Sequence, residues 1–278
     1  MVGFCRVFLV LVLAALACGC STVRFGYENA DAYLRWKAGG YLDLEGDDAE
    51  ELHDLIDEFH AWHRRHELPK YAGVAHEAER RFADGLSHED LVWGYDSLRA
   101  QARESLRKAA DLAAPLLDRL TPEQVAQIER RLAEENRQFY RDKLRGTERD
   151  RRRKRAKYTV ERLEDWVGKL TQAQIQRVRE YADRAALTDE LRDRDRKRLQ
   201  KDFLAIVRAR EARSRLAERA ANWERGRDAA HVAALETWRA QYFAMLVDID
   251  RSLAPEQRAL ALAHIRRYAG DFDALAAR

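Results

Sequence analysis

The chain has 278 residues, of which 36% are charged, and its 51 basic and 48 acidic side chains give a net charge of +3. So small a net charge argues against a global electrostatic attraction to nucleic acid. Only 13 glycines and 4 prolines are present, too few for the many turns of a β-rich chain. Charged residues mixed with Ala and Leu are typical of solvated helices with one apolar stripe, and they predict an all-α fold of long antiparallel helices in an extended bundle.

The N-terminus has the features of an export signal. One basic residue, Arg6, precedes the apolar stretch 7–17, whose eleven residues are too few to cross a bilayer core, which needs about 20. The small residues that follow are similar to a bacterial lipobox, with Cys20 as the favoured lipid acceptor and Cys18 as the competing one. An ordinary cleaved signal peptide and a retained anchor stay open as alternatives.

The cysteine distribution fits lipidation. Cys5, Cys18 and Cys20 all lie at the N-terminus and the rest of the chain has none, so a disulfide or a zinc site would lack partners. Because Ser21 follows Cys20, the resemblance to bacterial lipoproteins implies an outer-membrane protein that faces the periplasm. The expected organisation is a lipoprotein signal peptide at 1–19, a lipidated N-terminus and linker at 20–46, and a helical periplasmic domain at 47–278.

Helical periodicity and start and stop signals predict the elements in chain order. No segment shows sustained period-two alternation, which argues against strands. From 188 to 249 the apolar pattern is nearly unbroken, with Gly226 as the expected hinge. The predicted helices are a short one at 29–36 ended by Gly39 and Gly40, then 49–67, 69–83, 87–117, 121–144, 149–168, 171–186, the long 188–249 segment and 255–268.

A five-residue pattern recurs where four of these helices begin. The copies are LSHED from Leu86, LTPEQ from Leu120, LTQAQ from Leu170 and LAPEQ from Leu253. A Ser or Thr that caps a helix, followed three residues later by Asp or Gln, predicts a capping box that contributes about 1 kcal/mol. The fourth copy has Ala254 at the cap position. The two LTxxQ copies predict boxes at Leu120, Thr121 and Gln124 and at Leu170, Thr171 and Gln174.

Two resemblances follow from these motifs. The LTxxQ copies resemble those of small periplasmic helical chaperones, which hold unfolded clients on a helical surface. The stretches CSTVRFGYENAD and FHAWHRRHELPKYA, together with the LTxxQ copies, are similar to a family of uncharacterised all-helical bacterial outer-membrane lipoproteins, a domain of unknown function. This second resemblance implies a signal peptide, lipidation and a helical periplasmic body, and it implies no activity.

Histidines are concentrated in one part of the chain, with six of the eight between His53 and His88. Two histidines three residues apart can share a metal ion. However, His60 and His66 lie about 120° apart around a helix, and the HExxH pattern of a catalytic zinc site is absent. We therefore expect surface and capping roles and no cofactor, with a metal-dependent enzyme built on His53 to His66 as the weaker alternative.

The stretch AWHRRHELPKYA is the strongest candidate interaction patch. The alternative is a structural corner, in which Trp62 is buried, Arg64 pairs with an acid, and Pro69 ends one helix and begins the next. The patch residues that match the pattern of the resembled family are Trp62, His63, Arg64, Glu67, Leu68, Pro69 and Tyr71.

The run RDRRRKRAK at 149–157 has the composition of a nuclear-targeting signal or a nucleic-acid site. Export of the protein would exclude both of these roles. Acidic residues on both sides indicate a solvated helix with alternating charge. Contact with anionic lipid or lipopolysaccharide is the alternative.

No nucleophile elbow, P-loop or dinucleotide fingerprint is present, so we expect no enzymatic activity. The leading hypothesis is a lipid-anchored periplasmic binding or chaperone-like envelope factor. Its partners would be the membrane, through the N-terminal lipid, and protein clients or envelope components, with no nucleic acid. A purely architectural envelope lipoprotein is the alternative, and the oligomeric state is left open.

Overall fold

The computed structural model describes residues 22–278, so Cys20 and the expected signal peptide lie outside the described residues. Within that range the chain forms helices and short loops and no strand, which confirms the all-α prediction. The helices are α1 (Thr22–Glu28), α2 (Ala30–Leu42), α3 (Gly46–His66), α4 (Leu68–Ala83), α5 (His88–Leu117), α6 (Pro122–Phe139) with a π-helical turn (Tyr140–Leu144), α7 (Glu148–Val167), α8 (Gln172–Arg184), α9 (Asp189–Arg208), α10 (Ala212–Ala221), α11 (Ala229–Asp250) and α12 (Pro255–Ala276).

Capping boxes begin four of these helices. The side chains of Thr121 and Thr171 accept hydrogen bonds from the N–H groups of Gln124 and Gln174, and each Gln side chain bonds back to its cap residue, as the LTxxQ motifs predict. Ser87 starts α5 in the same way, and Thr147, which the sequence motifs did not include, starts α7. Local sequence therefore sets where these helices start.

The predicted stop at Gly39 and Gly40 is wrong, because α2 continues through both glycines to Leu42. It ends where Asp43 adopts a left-handed conformation with a φ of 51°. Glycine weakens a helix by about 1 kcal/mol relative to alanine, and burial of Leu42 in the core offsets that loss. The segment expected to be a linker is thus helical over α1 and α2.

The long segment 188–249 is not continuous but is divided into α9, α10 and α11. Gly226, the expected hinge, lies in the second break with a φ of 79°. The first break was not predicted: Arg210 has a φ of 55°, and the carboxylate of Asp118 accepts hydrogen bonds from the backbone N–H groups of Ala212 and Arg213 at 2.7 and 3.2 Å. The cap of α10 therefore comes from a residue nearly a hundred positions away.

The buried apolar side chains form two regions joined by α5, whose 30 residues span about 45 Å. One region gathers α2, α3, the C-terminal half of α5, α6, α9 and α10. The other gathers α4, α7, α8, α11 and α12. In the second region α4 and α12 run antiparallel, because His76 pairs with Asp273 at 2.9 Å and Glu79 pairs with Arg266 at 2.6 Å.

Candidate functional site

A cleft of about 1040 Å³ lies among α5, α7 and α11, with smaller contributions from α4, α8, α9 and α12. Its volume is at the upper end of the roughly 300–1,000 Å³ typical of small-molecule sites. Each helix presents one face to it, because residues three or four positions apart share a face. On α5 these residues include Leu91, Tyr95 and Leu98, and on α11 they include Trp238, Tyr242, Leu246 and Ile249.

Much of the lining is apolar and accessible to solvent. Leu98 is 51% exposed and Tyr158, on the α7 wall, is 61% exposed. Trp238 stacks on Tyr242 with ring centroids 5.5 Å apart. Single exposed apolar residues are common on soluble proteins, whereas a contiguous group around a concavity marks a binding surface.

One end of the cleft is basic. Lys154 and Arg155 line it from α7, Lys143 from the π-helical turn and Arg192 from α9. None of these four makes an ion pair with a described residue. Arg155 instead donates to the carbonyl oxygens of Ala185 and Ala186, both at 3.0 Å.

Burial lowers the pKa of Arg155 below its usual value. The carboxylates at this end are Asp142, which accepts from Gln138 at 2.8 and 2.9 Å, and Asp189, in the first turn of α9. The cations at this end outnumber the carboxylates.

The opposite end of the cleft is apolar, and its few charges are paired. Phe82, Val167 and Ala261 are buried there. On the walls, Arg81 pairs with Asp90 at 2.8 Å and Arg162 pairs with Asp165 at 3.6 Å. The run 149–157 makes the intrahelical pairs expected of a solvated helix on its outer side, such as Arg153 with Asp150 at 3.1 Å, while its other face lines the cleft. The cleft is therefore graded from basic to apolar along α7.

Two of the recurring motifs meet beside the apolar end. Gln174 and Gln257 are buried, and each amide donates to the other, at 3.0 and 3.1 Å. The Gln174 oxygen also accepts from the Thr171 N–H at 2.9 Å, and the Gln257 oxygen accepts from the Ala254 N–H at 3.1 Å. We call this pair the amide clasp; it joins the α7–α8 loop to the α11–α12 loop.

The loop before α5 joins the same region. Asp250 is buried and accepts from the Leu86 N–H at 2.9 Å, and it pairs with Arg258 at 3.0 Å. The motif leucines Leu86, Leu170 and Leu253 pack in one apolar cluster, whereas Leu120 packs in the other core region. Three of the four motif copies thus fix one end of the cleft, a role beyond helix capping. Gln257, present in the copy that has Ala254 at the cap position, is the sequence signal that could have indicated this role.

The candidate patch at 62–71 receives the N-terminal helix. The Tyr27 hydroxyl lies 3.0 Å from Nδ1 of His63, and Nε2 of His60 lies 3.1 Å from the Tyr27 carbonyl oxygen. The Arg64 guanidinium lies 5.4 Å from the centre of the Tyr27 ring. Burial is the main cause that raises the pKa of Tyr27 to about 12 and lowers the pKa of His63 to about 4. Near pH 7 both groups are therefore neutral, and the hydroxyl and the imidazole share one hydrogen bond.

The other patch residues form the corner between α3 and α4. Leu68 is buried and Pro69 lies in the first turn of α4, while Tyr71 stacks on His63 at 5.8 Å. Glu67 is fully buried: one carboxylate oxygen accepts from Lys70 at 2.7 Å, and the other has no hydrogen-bond partner among the described residues.

The structural-corner alternative predicted that Trp62 is buried and that Arg64 pairs with an acid, and the structure differs in both details. Trp62 is half-buried, with its ring 5.9 Å from that of His66. Arg64 lies over the Tyr27 ring and makes no ion pair with a described residue. Within residues 22–278, no group of three or more His, Cys, Asp or Glu side chains is placed to hold a metal ion. In the same range no helix has the length and apolar character needed to span a membrane.

Residues 40–225 of the 278 match the family of unknown function DUF6279. The chain belongs to this family. The matched segment holds the α5 and α7 walls of the cleft, whereas α11 and α12, which complete the cleft, lie beyond it. Comparisons with curated proteins and with solved structures found no match.

Proposed function

We propose that this DUF6279 protein is a lipid-anchored binding factor of the outer membrane that faces the periplasm and holds apolar parts of clients or envelope components in its cleft. The observation that carries the proposal is the cleft of about 1040 Å³ with accessible aromatic and aliphatic walls. Such a surface is unfavourable in water unless a partner covers it at least part of the time.

The anchoring part of the proposal rests on the sequence around Cys20. Helix α1 begins at Thr22, and it docks on the body through Tyr27 and through Arg24, whose Nε lies 2.7 Å from the buried Asp271. A lipid on Cys20 would therefore lie at the start of a docked helix and hold the body close to the membrane. Mass spectrometry of the mature N-terminus together with membrane fractionation tests this part. An unmodified N-terminus on a protein recovered in the aqueous fraction would overturn it.

Binding is tested with the full-length protein and an apolar fluorescent dye, and in parallel by suppression of client aggregation. Leu98→Glu places a carboxylate in the cleft, and Leu106→Glu places the same change on α5 outside it, where Leu106 is 45% exposed. We expect Leu98→Glu alone to weaken dye binding and client protection. Wild-type protein without dye binding or client protection would contradict the proposal and favour the architectural alternative.

A further inference from the structure

We infer that the cleft binds a lipid monomer with an anionic headgroup, with the acyl chain along the apolar walls and the phosphate or carboxylate at the basic end. This inference rests on the proposed function and specifies its ligand. It follows from the asymmetry of the cleft, which places unpaired cations at one end and buried apolar side chains at the other.

The basic end suits one anionic group. Lys143, Lys154 and Arg192 have exposed side chains without an ion pair to any described residue. An anion among several cations in a half-enclosed site is held more strongly than on an open surface, because solvent screens the charges less. The charges toward the other end, those of Arg81 and Arg162, already have carboxylate partners, so the headgroup has one favoured position.

The length of the cleft suits one acyl chain. From Lys154 to Trp166, α7 rises about 18 Å, and both residues line the cleft. One leaflet of a bilayer's hydrocarbon core is roughly 15 Å thick. A membrane lipid can therefore lie with its headgroup beside Lys154 and its chain ending near Trp166.

An extended peptide fits the apolar part poorly. Its backbone N–H and C=O groups would lose water between helices whose own backbone groups are already bonded, and each unpaired group costs free energy. An acyl chain carries no such groups. Its transfer from water to the aromatic and aliphatic walls is favourable along its whole length.

The test uses the full-length protein anchored in phosphatidylcholine vesicles and lipids with brominated acyl chains, which quench tryptophan fluorescence on contact. Trp93, Trp166 and Trp238 line the cleft and report binding. The probes are brominated palmitate, brominated lysophosphatidylglycerol and, as the uncharged comparison, brominated monoacylglycerol. Two variants alter the cleft, Leu98→Glu and the double change Lys143→Glu with Lys154→Glu. Leu106→Glu and Lys157→Glu are matched controls on the same helices outside the cleft, and circular dichroism checks that each variant is folded.

We expect both anionic probes to bind about tenfold more tightly than monoacylglycerol, a difference of about 1.4 kcal/mol. Leu98→Glu should weaken all three probes, the lysine double variant should remove the preference for the anionic probes, and the controls should behave as wild type. Comparing palmitate with lysophosphatidylglycerol shows whether carboxylate or phosphate is preferred.

Equal affinity for charged and uncharged probes, or quenching that the cleft variants leave unchanged, overturns the inference. An apolar helical peptide is assayed in parallel by displacement of the dye. If the peptide and dye bind in a manner sensitive to Leu98→Glu while the lipids do not, the inference fails and the proposed function stands. If no probe, dye or peptide binds in the cleft, both fail.

Discussion

Tyr27 joins the N-terminal helix to the body through two histidines and an arginine. Its hydroxyl and Nδ1 of His63 share a hydrogen bond at 3.0 Å in a half-buried site, where a protonated ring would be poorly solvated. With both the Tyr27 hydroxyl and the His63 imidazole neutral near pH 7, α1 is docked there. Protonation of His63 would place a charge in this half-buried site, so docking should depend on pH.

We expect acid to loosen α1. The pKa of His63 is about 4 in the folded protein and about 6.5 in the unfolded chain, so between these values the unfolded state binds more protons. The stabilising contribution is complete above pH 6.5 and is lost as the pH falls toward 4, by about 1–2 kcal/mol after allowance for partial exposure. Hydrogen exchange of residues 22–28 measures the loosening of α1, and thermal unfolding measures the loss of stability, each at pH 7 and at pH 4.5. His63→Gln should lessen the pH dependence, His53→Gln should not, and identical profiles for wild type and His63→Gln would contradict the assignment.

Glu67 and Lys70 predict a second effect at single residues. The carboxylate is fully buried, and Lys70 is the cation bound to it at 2.7 Å. Lys70→Met should lower the free energy of unfolding by about 2 kcal/mol, because it leaves a buried charge without its partner. Adding Glu67→Gln should restore part of that loss. Urea denaturation measures the free energy of unfolding of both variants, and Lys157→Met is the exposed control. Equal denaturation midpoints for Lys70→Met and this control would refute the role of Lys70.

At the scale of the elements, a common helix-start motif has different roles in different places. Gln124 closes a capping box at the surface of the molecule, while Gln174 closes the same box and also pairs with Gln257 in the amide clasp. Sequence alone predicted the boxes at Thr121 and Thr171, because a capping box involves residues only three positions apart. The amide clasp joins residues 83 positions apart, and no local pattern could reveal it.

We expect Gln174→Leu and Gln257→Leu each to lower the free energy of unfolding by about 1–3 kcal/mol, because each removes both amide–amide hydrogen bonds from a buried site, together with the bond of the replaced side chain to the neighbouring loop. Gln124→Leu loses only its share of a cap, about 1 kcal/mol or less. The double variant should lose less than the sum of the single losses, since both partners are then removed. Chemical denaturation of the wild type, the two single variants and the double variant measures the coupling energy between the two amides. Strict additivity would contradict a direct bond between the amides.

At the scale of the whole molecule, the DUF6279 match ends before the fold does. Helices α11 and α12 lie outside residues 40–225, yet α12 packs antiparallel on α4 and buries Ala261, Ala269 and Leu275. Helices α11 and α12 are therefore required to form the second core region and to complete the cleft.

Truncation after Gly226 tests this dependence. It would expose the apolar cluster of Phe82, Val167 and Leu170, and the loss should be comparable with the whole stability of a typical domain, about 5–15 kcal/mol. We expect the truncated chain to aggregate or to unfold without cooperativity in calorimetry. Removing only 277–278 should preserve the transition. A truncated chain that unfolds cooperatively at the wild-type temperature would show that 22–226 is an independent unit.

The sequence by itself determined the all-α class, most helix starts and the capping boxes, because these depend on propensity, periodicity and contacts within one helical turn. It did not determine where α2 ends, since burial of Leu42 outweighs two glycines, or where α10 begins, since Asp118 supplies its cap from another helix. The cleft with its basic end and the docking of Tyr27 on His63 were likewise decided by tertiary structure. They arise from side chains on different helices, whose proximity depends on how whole helices pack and on no pattern within any one of them.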